Sequence, residues 1–518
     1  MLAPKARNIP IPVTDYTITS IVSACPGTSR SPSVGAPARP APTAATARPV
    51  SSVPAIRAKY DAAQSNRENA KLWSLADGLS ARTANDPGVR ETLRNRSRYE
   101  VANNSYARGI VETLANDVIG TGPRLQMMTG NPEFDRAVSD GFEAWAAEIG
   151  LAEKLRTIKK ARTVDGEAFA VFITNSRLTG PVQLDLRLVE ADQVTDLDRG
   201  FRGIADPYHA DGIRFDRAGN PIEYTILRDH PGGEFTVRFG ESDRIPAREV
   251  IHWFRMDRPG QVRGVPDITP ALHLFGLLRR YTLAVLAAAE TAADFAAVLE
   301  SEFPADGDEP GAREPFDAYE IERRMMVTLP GGMKLAQLRA EQPTTTYEMF
   351  KNALLNEIAR CLNMPFNIAA GNSAGYNYAS GRLDHQTYYK SIAVDQYHLE
   401  TAALDRLLAE WLREAQLSPA LAVPGPLRLS RRTHQWFWDG WHHADPKKEA
   451  DAQAVRLRSG TATLADEWAR QGHDWREKAD QQAEERAYYA SKGIPYPGDA
   501  TGANPRTSEG SVDDDDDE

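Results

Sequence analysis

Cysteine is nearly missing from this chain, which has only Cys25 and Cys361 among 518 residues. The two are far apart, and Cys25 lies in a stretch rich in proline, alanine, serine and threonine. A structural disulfide or a cysteine zinc site is therefore not expected, and the usage fits a reducing cytosol. The first residues also lack the basic start and apolar core of a secretory signal.

Long uncharged apolar runs are missing as well. The most apolar stretch, Tyr281–Leu299, contains Glu290 and Asp294, whereas a membrane span needs about 20 apolar residues with few charges. We interpret this stretch as a helix that is buried or packs between subunits, and we expect no membrane partner.

Motifs for common catalytic chemistry do not occur. The chain has no phosphate-binding G-x-x-x-x-G-K-[ST] loop and no G-x-S-x-G nucleophile turn. The candidates for metal-dependent chemistry are three acidic pairs, Asp165/Glu167, Glu190/Asp192 and Asp196/Asp198. Two-metal nucleases need carboxylates that converge, but nothing else completes a nuclease pattern. We therefore favour solvated or turn-capping roles and predict no catalytic residue, metal or cofactor.

Two further clusters each allow two interpretations. Three histidines, His434, His442 and His443, lie among Trp436, Trp438 and Trp441. Adjacent histidines point apart and no cysteine is near, so an aromatic core or subunit interface is favoured over a metal site. Four arginines, Arg90, Arg94, Arg96 and Arg98, could contact phosphates or pair with acids of a neighbouring subunit. The sequence does not distinguish between these two roles.

Negative charge prevails, with a formal net charge of −11. Residues 1–58 carry six lysines or arginines against one acid, Asp15, whereas Asp513–Glu518 is wholly acidic. The part between them is acidic too. An acidic body argues against tight sequence-specific DNA binding, which usually leaves a basic surface, but it is compatible with DNA that slides past.

Hydrophobic periodicity predicts the elements of the first half. We expect helix over residues 59–119, broken near Asn85–Gly88, and again over Phe134–Ala161. Alternating segments then predict a small β-rich unit, Glu167–Met256, with a hairpin turn at Ala218–Pro221.

The second half is predicted to be mainly helical. An alanine-rich helix is expected over Thr269–Ser301, followed by strand candidates RMMVTLP and MKLAQL. Another helix is expected to start at a capping box, Thr345-x-x-Glu348, and to stop before Pro365. After a Gly/Asn/Ser-rich loop, the pattern predicts a helix on the order of 50 Å long at 1.5 Å per residue and then a helical pair. These helices span Arg382–Ala415, Pro446–Ser459 and Thr463–Ser491, and the expected fold class is α+β, mainly α.

Seven segments in order resemble the lambda-type family of tailed-phage portal proteins, across Arg94–Lys492. They are ANNSYARGIVETLANDVIGTGPRLQ, VDGEAFAVF, LVEADQV, GIRFDRAGNPIEYTIL, IPAREVIHWFRMDRPGQVRGVPDITPAL, EIARCLNMPFNIAAGNSAGYNYASGRL and DPKKEADAQAVRLRSGTATLADEWARQGHDWRE. Several segments in the right order are more specific than one short motif. The two ends of the chain lie outside the resemblance.

The resemblance implies a portal fold with named parts between two disordered ends, 1–58 and 498–518. The parts are a wing (59–268), a stem helix (269–301), a clip (302–344), a second stem helix (345–364), a tunnel loop (365–381), a spine helix with wing return (382–440) and a helical crown (441–497). It also implies channel-facing residues in the tunnel loop, Asn372, Ser373, Tyr376, Asn377 and Tyr378. The glycines Gly371, Gly375 and Gly381 are predicted to act as hinges.

The function implied by the resemblance is that of a portal rather than an enzyme. Such a protein forms a homo-oligomeric ring, typically a dodecamer, at one capsid vertex of the virion. It assembles in the host cytoplasm, nucleates the head with major capsid and scaffold proteins, docks the terminase large subunit and meets a head-tail adaptor protein. Double-stranded DNA passes through it non-specifically during packaging and ejection, and an acidic lining that repels phosphates suits such passage.

Two alternatives remain open from the residues alone. One is a metal-dependent DNA-processing enzyme that uses Asp165, Glu167, Glu190 and Asp192. The other is a virion adaptor that binds only proteins.

Overall fold

The computed structural model describes residues 70–196, 208–233, 241–294, 298–301, 333–336, 344–375, 377–418, 429–430, 432–440 and 446–497. The chain divides into two units, Met1–Asp77 and Gly78–Glu518. In the first unit, residues 70–75 form a turn that exposes Leu72, Trp73 and Leu75. The predicted disordered ends, most of the clip and the strand candidate RMMVTLP lie outside the described residues.

Three helices open the second unit: α1 (Ala81–Ala84), α2 (Pro87–Asn103) and α3 (Ser105–Ile119). The predicted break near Asn85–Gly88 is confirmed, because the Asp86 carboxylate accepts from the first backbone N–H groups of α2. A second break, at Asn104, was not predicted. Asn104 is extended, and its side chain caps α3 by accepting from the N–H groups of Tyr106 and Ala107.

Strand β1 (Arg124–Met127) leads to α4 (Pro132–Glu148) and α5 (Leu151–Asp165). One helix was predicted over Phe134–Ala161, but Gly150 adopts a left-handed conformation, φ +63°, and divides it. Helices α3, α4 and α5 bury one continuous apolar face, which includes Ile110, Phe142 and Leu155.

The predicted β-rich unit is confirmed as two antiparallel sheets. The first has the order β3-β2-β8, with β2 (Glu167–Thr174) between β3 (Leu184–Val189) and β8 (Val250–Phe254). The second follows chain order through four strands, β4 (His209–Ala210), β5 (Ile213–Phe215), β6 (Pro221–Leu227) and β7 (Ser242–Pro246). Strands β5 and β6 form the predicted hairpin, and β7 was not predicted.

The alanine-rich helix α6 runs over Leu272–Asp294, so the predicted end at Ser301 was wrong. Residues Val298–Ser301 instead form β9, which pairs with β10 (Met333–Ala336). The pairing partner lies far along the chain, so no local pattern distinguishes this strand from a continued helix. The strand candidate MKLAQL is confirmed by β10.

Helix α7 runs over Thr344–Arg360, so Thr345 lies inside its first turn and not at the predicted cap. Helix α8 (Phe366–Ala370) follows. The long helix is confirmed and starts earlier than predicted: α9 (Tyr378–Leu399) continues through one π turn, Glu400–Leu404, into α10 (Asp405–Ala415).

Strand β11 (His434–Phe437) pairs with β1. Three helices follow where two were predicted: α11 (Pro446–Arg458), α12 (Leu464–Arg470) and α13 (Trp475–Ser491). Gly472, at φ +78°, separates the last two. These elements complete an α+β, mainly α chain, and the predicted fold class is confirmed.

An aromatic cluster joins α4, α10 and β11. The Phe142 ring lies 5.6 Å from that of Trp411 and 5.5 Å from that of Trp436, both in edge-on geometry. His434 Nε2 lies 3.0 Å from an Asp405 oxygen that also accepts from the Trp436 indole. For His434 the favoured aromatic core is therefore observed, whereas His442 and His443 lie outside the described residues.

Among the described residues, one helix, Thr269–Glu290, has the length and composition of a membrane span. Only 22% of its most apolar window is buried in the isolated chain. Over Tyr281–Glu290, the part of the stretch Tyr281–Leu299 whose burial is described, no residue is buried within the single chain, so such burial does not account for the apolar side chains there.

Candidate channel loop and its ionic support

The candidate loop, residues 371–377, connects α8 to α9. Its described members are exposed, and they include Asn372, Ser373 and Asn377. Gly371 and Gly375 have φ of +62° and +83°, the region that favours glycine. Gly381 was predicted as a hinge, but it lies in α9 and donates its backbone N–H to the carbonyl of Asn377 at 3.0 Å.

The loop is therefore shorter than the predicted 365–381, because helices occupy both ends. Its first half is ordered by Asn372, whose side-chain oxygen accepts from the N–H of Ala374 at 2.9 Å. The Asn372 N–H donates to the carbonyl of Asn367 at 3.0 Å. Tyr376 lies outside the described residues, and Tyr378 is the first residue of α9.

Both helices that flank the loop are anchored by polar contacts. Asn367 of α8 lies 3.1 Å from His385 of α9. Tyr388, fully buried, donates its hydroxyl to Asp117 of α3 at 2.7 Å. Buried hydrogen bonds of this kind fix helix positions, so the loop projects from a rigid base.

Farther along α9, Asp395 binds two buried cations of α5. Its oxygens accept from Lys159 at 2.6 Å and from Arg162 at 3.1 Å. Burial by itself would raise the pKa of Asp395, but the two cations hold it below its usual value. The Arg162 guanidinium also lies over the Trp253 ring, 4.5 Å from its centroid. This contact ties the long helix to the first sheet.

Glu167, one of the predicted metal candidates, is fully buried and serves a different role. Its oxygens accept from the Arg263 guanidinium at 2.7 and 2.8 Å and from the N–H of Gly264 at 3.0 Å. His252 Nε2 lies 3.2 Å away. Burial alone would raise the pKa of Glu167, but Arg263 and His252 hold it well below its ordinary range.

The arginines of α2 complete this cluster within the same chain. Arg94 donates to Asp192 at 2.9 Å. Arg98 donates to both oxygens of Asp165, at 2.7 and 2.8 Å. Arg90 contacts Asp211. The structure thus gives these three arginines partners within the chain, which neither interpretation, phosphate contact or pairing with a neighbouring subunit, had predicted. Arg96 is exposed.

The predicted carboxylates do converge, but their geometry does not suit a two-metal site. Arginines already neutralise Asp165, Glu167 and Asp192. His230 Nδ1 accepts from the N–H of Gly232 at 3.0 Å, so the neutral ring carries its proton on Nε2. That atom lies 3.4 Å from Glu190 and 3.7 Å from Asp192, and the three side chains place possible ligand atoms within 4.8 Å of one another, a group for at most one ion.

Of the remaining acidic pair, Asp196 accepts from the N–H of Gly212 at 2.9 Å, a turn-capping role. Asp198 lies outside the described residues.

The ionic cluster around Glu167 and Arg263 also fixes the position of the segment that leads into α6. Gly264 follows Arg263, and a methyl group on Gly264 would overlap the carbonyl of Gly166. Three residues on, the Asp267 N–H donates to the carbonyl of Thr163 at 3.0 Å. The base of α6 is thus held against α5 and β2. Sequence reasoning missed the role of Arg263, because its partner is 96 positions away.

The buried His252 predicts a pH dependence of stability. Burial lowers the pKa of His252 from its usual 6.5, although Glu167 opposes this. As pH falls below about 6.5, the unfolded chain binds a proton that the folded chain does not. The free energy of unfolding is therefore expected to fall with pH in that range, by up to about 1.4 kcal/mol per pH unit. Urea denaturation between about pH 8 and pH 5 measures this slope, and His252→Gln should reduce it. An equal slope in the variant would contradict the prediction.

The described residues combine long helices, a small β unit, an exposed loop between anchored helices and buried carboxylates that pair with arginines. The family model for lambda-family phage portal proteins matches residues 68–396. The chain belongs to that family. The predicted family is confirmed over most of the chain.

Individual relatives are similar along most of their length. The probable portal protein of Halomonas phage phiHAP-1 is 26% identical over 459 residues, covering 83% of this chain and 86% of that protein. Portal protein B of Escherichia phage lambda is 22% identical and covers 78% of this chain and 85% of that protein. A chain in the virion of a native gene transfer agent particle has a TM-score of 0.42 at 16% identity, covering 71% of this chain and 88% of that chain.

Proposed function

We propose that this portal protein assembles into a ring, typically a dodecamer, that conducts double-stranded DNA through one capsid vertex. Support for self-association comes from α6 and α7. Helix α6 leaves Leu283 and Leu286 exposed at 60% and 55%, and α7 leaves Met349 and Phe350 exposed at 67% and 49%. Exposed apolar faces of this extent mark interaction surfaces, and alanines between them allow close helix approach.

In this proposal α6 and α7 are the stem helices. The described strand β10 belongs to the clip (302–344), and its partner β9 lies at the end of the segment that was predicted as the first stem helix. The loop at 371–377 faces the channel. Its described side chains, Asn372, Ser373 and Asn377, carry no charge. A duplex therefore meets polar groups that do not bind its phosphates strongly, while the acidic chain repels them at longer range.

The remaining roles follow from the same proposal. The ring nucleates head assembly with major capsid and scaffold proteins, docks the terminase large subunit and later meets a head-tail adaptor protein. Its location is the virion vertex, with host cytoplasm as the place of assembly. The proposal includes no catalytic step, because the family is one of portal proteins and arginines neutralise Asp165, Glu167 and Asp192.

The double variant Leu283→Glu/Leu286→Glu tests the ring. We expect it to fold normally, because both side chains are exposed in the isolated chain, and to remain monomeric, because charges at a tightly packed helix interface are costly. Native mass spectrometry and negative-stain images of the full chain report the ring.

The matched control is Leu417→Glu, which changes a leucine that is 83% exposed at the end of α10. It should assemble like the unchanged chain. Rings formed equally well by the double variant would refute the stem assignment, and a chain that stays monomeric with capsid and scaffold partners present would refute the proposed function.

A further inference from the structure

A cavity of about 260 Å³ lies beside the candidate loop. Three elements line it with polar side chains: Tyr106 from α3, Lys351 from α7 and Asn372 from the loop. One carboxylate, Glu348, is among its lining residues, and it is exposed. The cavity is half-enclosed, and its lining combines one cation with several polar groups.

The cation is held in place by two aromatic rings. Lys351 Nζ lies 5.4 Å from the centroid of the Tyr106 ring and 5.8 Å from that of Tyr347. The neighbouring Tyr106 side chain raises the pKa of Lys351. Lys351 therefore stays charged at neutral pH, and its ammonium carries N–H groups that can donate to a ligand.

Apart from the exposed Glu348 carboxylate, two neutral side chains in the lining can donate to a ligand beside Lys351. The hydroxyl of Tyr106 can act as a donor. Asn372 uses its side-chain oxygen for the N–H of Ala374, so its NH₂ group is the part that can reach a ligand.

The Tyr347 hydroxyl is already engaged. It lies 3.4 Å from the Thr282 hydroxyl, whose proton goes to the carbonyl of Leu278 at 3.0 Å. Tyr347 therefore contributes its ring face and not its proton.

We infer that this cavity binds a phosphate group through Lys351, Tyr106 and Asn372. Three converging donors, one of them charged, match the acceptor oxygens of a phosphate. The inference rests on the proposed function for the source of the phosphate. That source is the backbone of the passing duplex, because Asn372 belongs to the loop that is proposed to face the channel. Free inorganic phosphate has the same chemistry and is the other source.

A contact of this kind is compatible with DNA movement. A single lysine–phosphate pair that is open to solvent on one side is weak, and salt at moderate concentration screens it within about 10 Å. The contact would bind a phosphate of the duplex at the loop without stopping the movement of the DNA.

Binding of a short fluorescent duplex to the assembled full chain, measured by anisotropy over a range of salt, tests the inference. Lys351→Met should weaken binding and make the logarithmic salt slope shallower by about 1 for each phosphate that is no longer neutralised. The matched control, Lys447→Met, removes the same charge from an exposed position on α11 and should behave like the unchanged chain. Because Lys351 also packs between two rings, Asn372→Asp provides a second test at an exposed position and should weaken binding by repulsion.

The second arm uses inorganic phosphate alone. Thermal unfolding in phosphate is compared with unfolding in chloride at equal ionic strength, for the unchanged chain and both cavity variants. If the variants lose both duplex binding and the stabilisation by phosphate against thermal unfolding ("phosphate protection"), the result supports a site for the DNA backbone. Loss of phosphate protection with unchanged duplex binding supports the cavity but assigns it to free phosphate. If neither changes, the inference is wrong, and intact rings in the same samples would leave the proposed function standing.

Discussion

Glu167→Ala is expected to lower the free energy of unfolding by about 3–5 kcal/mol, the cost of removing one partner of a buried ion pair. The variant leaves the Arg263 guanidinium, only 2% exposed, with Asp211 at 3.2 Å as its remaining carboxylate partner. It also removes the acceptor of the Gly264 N–H and the partner of His252. Chemical denaturation, followed by circular dichroism at neutral pH, measures the loss.

Glu190→Ala is the matched control for this prediction. It removes the same functional group from the same cluster, but the Glu190 side chain is 59% exposed and lies 3.4 Å from Arg98. Exposed pairs contribute little, so a loss of less than about 1 kcal/mol is expected. If both variants lower the free energy of unfolding by the same amount, the stability of the cluster does not depend on the buried charge.

The Glu167 variant also bears on assembly. Arg263 and Gly264 lie in the segment that leads to α6 (Leu272–Asp294), and Gly264 packs closely against Gly166. If α6 is a stem helix, the variant weakens the contacts of the segment before it and changes the position of α6 in every subunit. We therefore expect ring formation by Glu167→Ala to fail at temperatures where the chain itself is still folded.

Removal of the loop residues Asn372–Tyr376 is expected to leave rings intact and to abolish most DNA packaging. The contacts that anchor its flanking helices, Asn367–His385 and Tyr388–Asp117, lie outside the deleted segment. The chain should therefore fold and assemble. Packaged DNA per particle, measured by nuclease protection, reports the defect, and negative-stain images of the same preparation report the ring.

A length-preserving control separates loop chemistry from loop geometry. Replacing Asn372 and Ser373 with alanine keeps Gly371 and Gly375, which supply the left-handed turns. We expect this variant to package more DNA than the deletion does. Loss of ring assembly on deletion of the loop would refute its assignment to the channel.

Local chemistry made several elements predictable. The strand over Glu167–Thr174 follows from alternation, and the hairpin that ends in Pro221–Leu227 follows from its turn residues. The long helix through Ala415 follows from its apolar periodicity. The family was recognisable because seven segments occur in one order, and that inference did not require a structure.

Errors arose where a distant partner overrode the local pattern. Residues Val298–Ser301 continue a helical composition, yet they pair with Met333–Ala336 as a strand. Gly381 lies in a glycine-rich sequence that predicts a loop, yet α9 includes it. Packing of α9 against α3 and α5 contributes more than the cost of about 1 kcal/mol for one helical glycine.

The sequence by itself determined the family, the α+β class, the order of the elements and the uncharged character of the candidate loop, because these depend on periodicity, turn chemistry and composition. The tertiary structure alone decided what the charged residues do. Arg94, Arg98 and Arg263 meet their carboxylates across 98, 67 and 96 positions of chain. Ion pairs depend on distance in space and on burial, and neither is encoded in the spacing of residues along the chain.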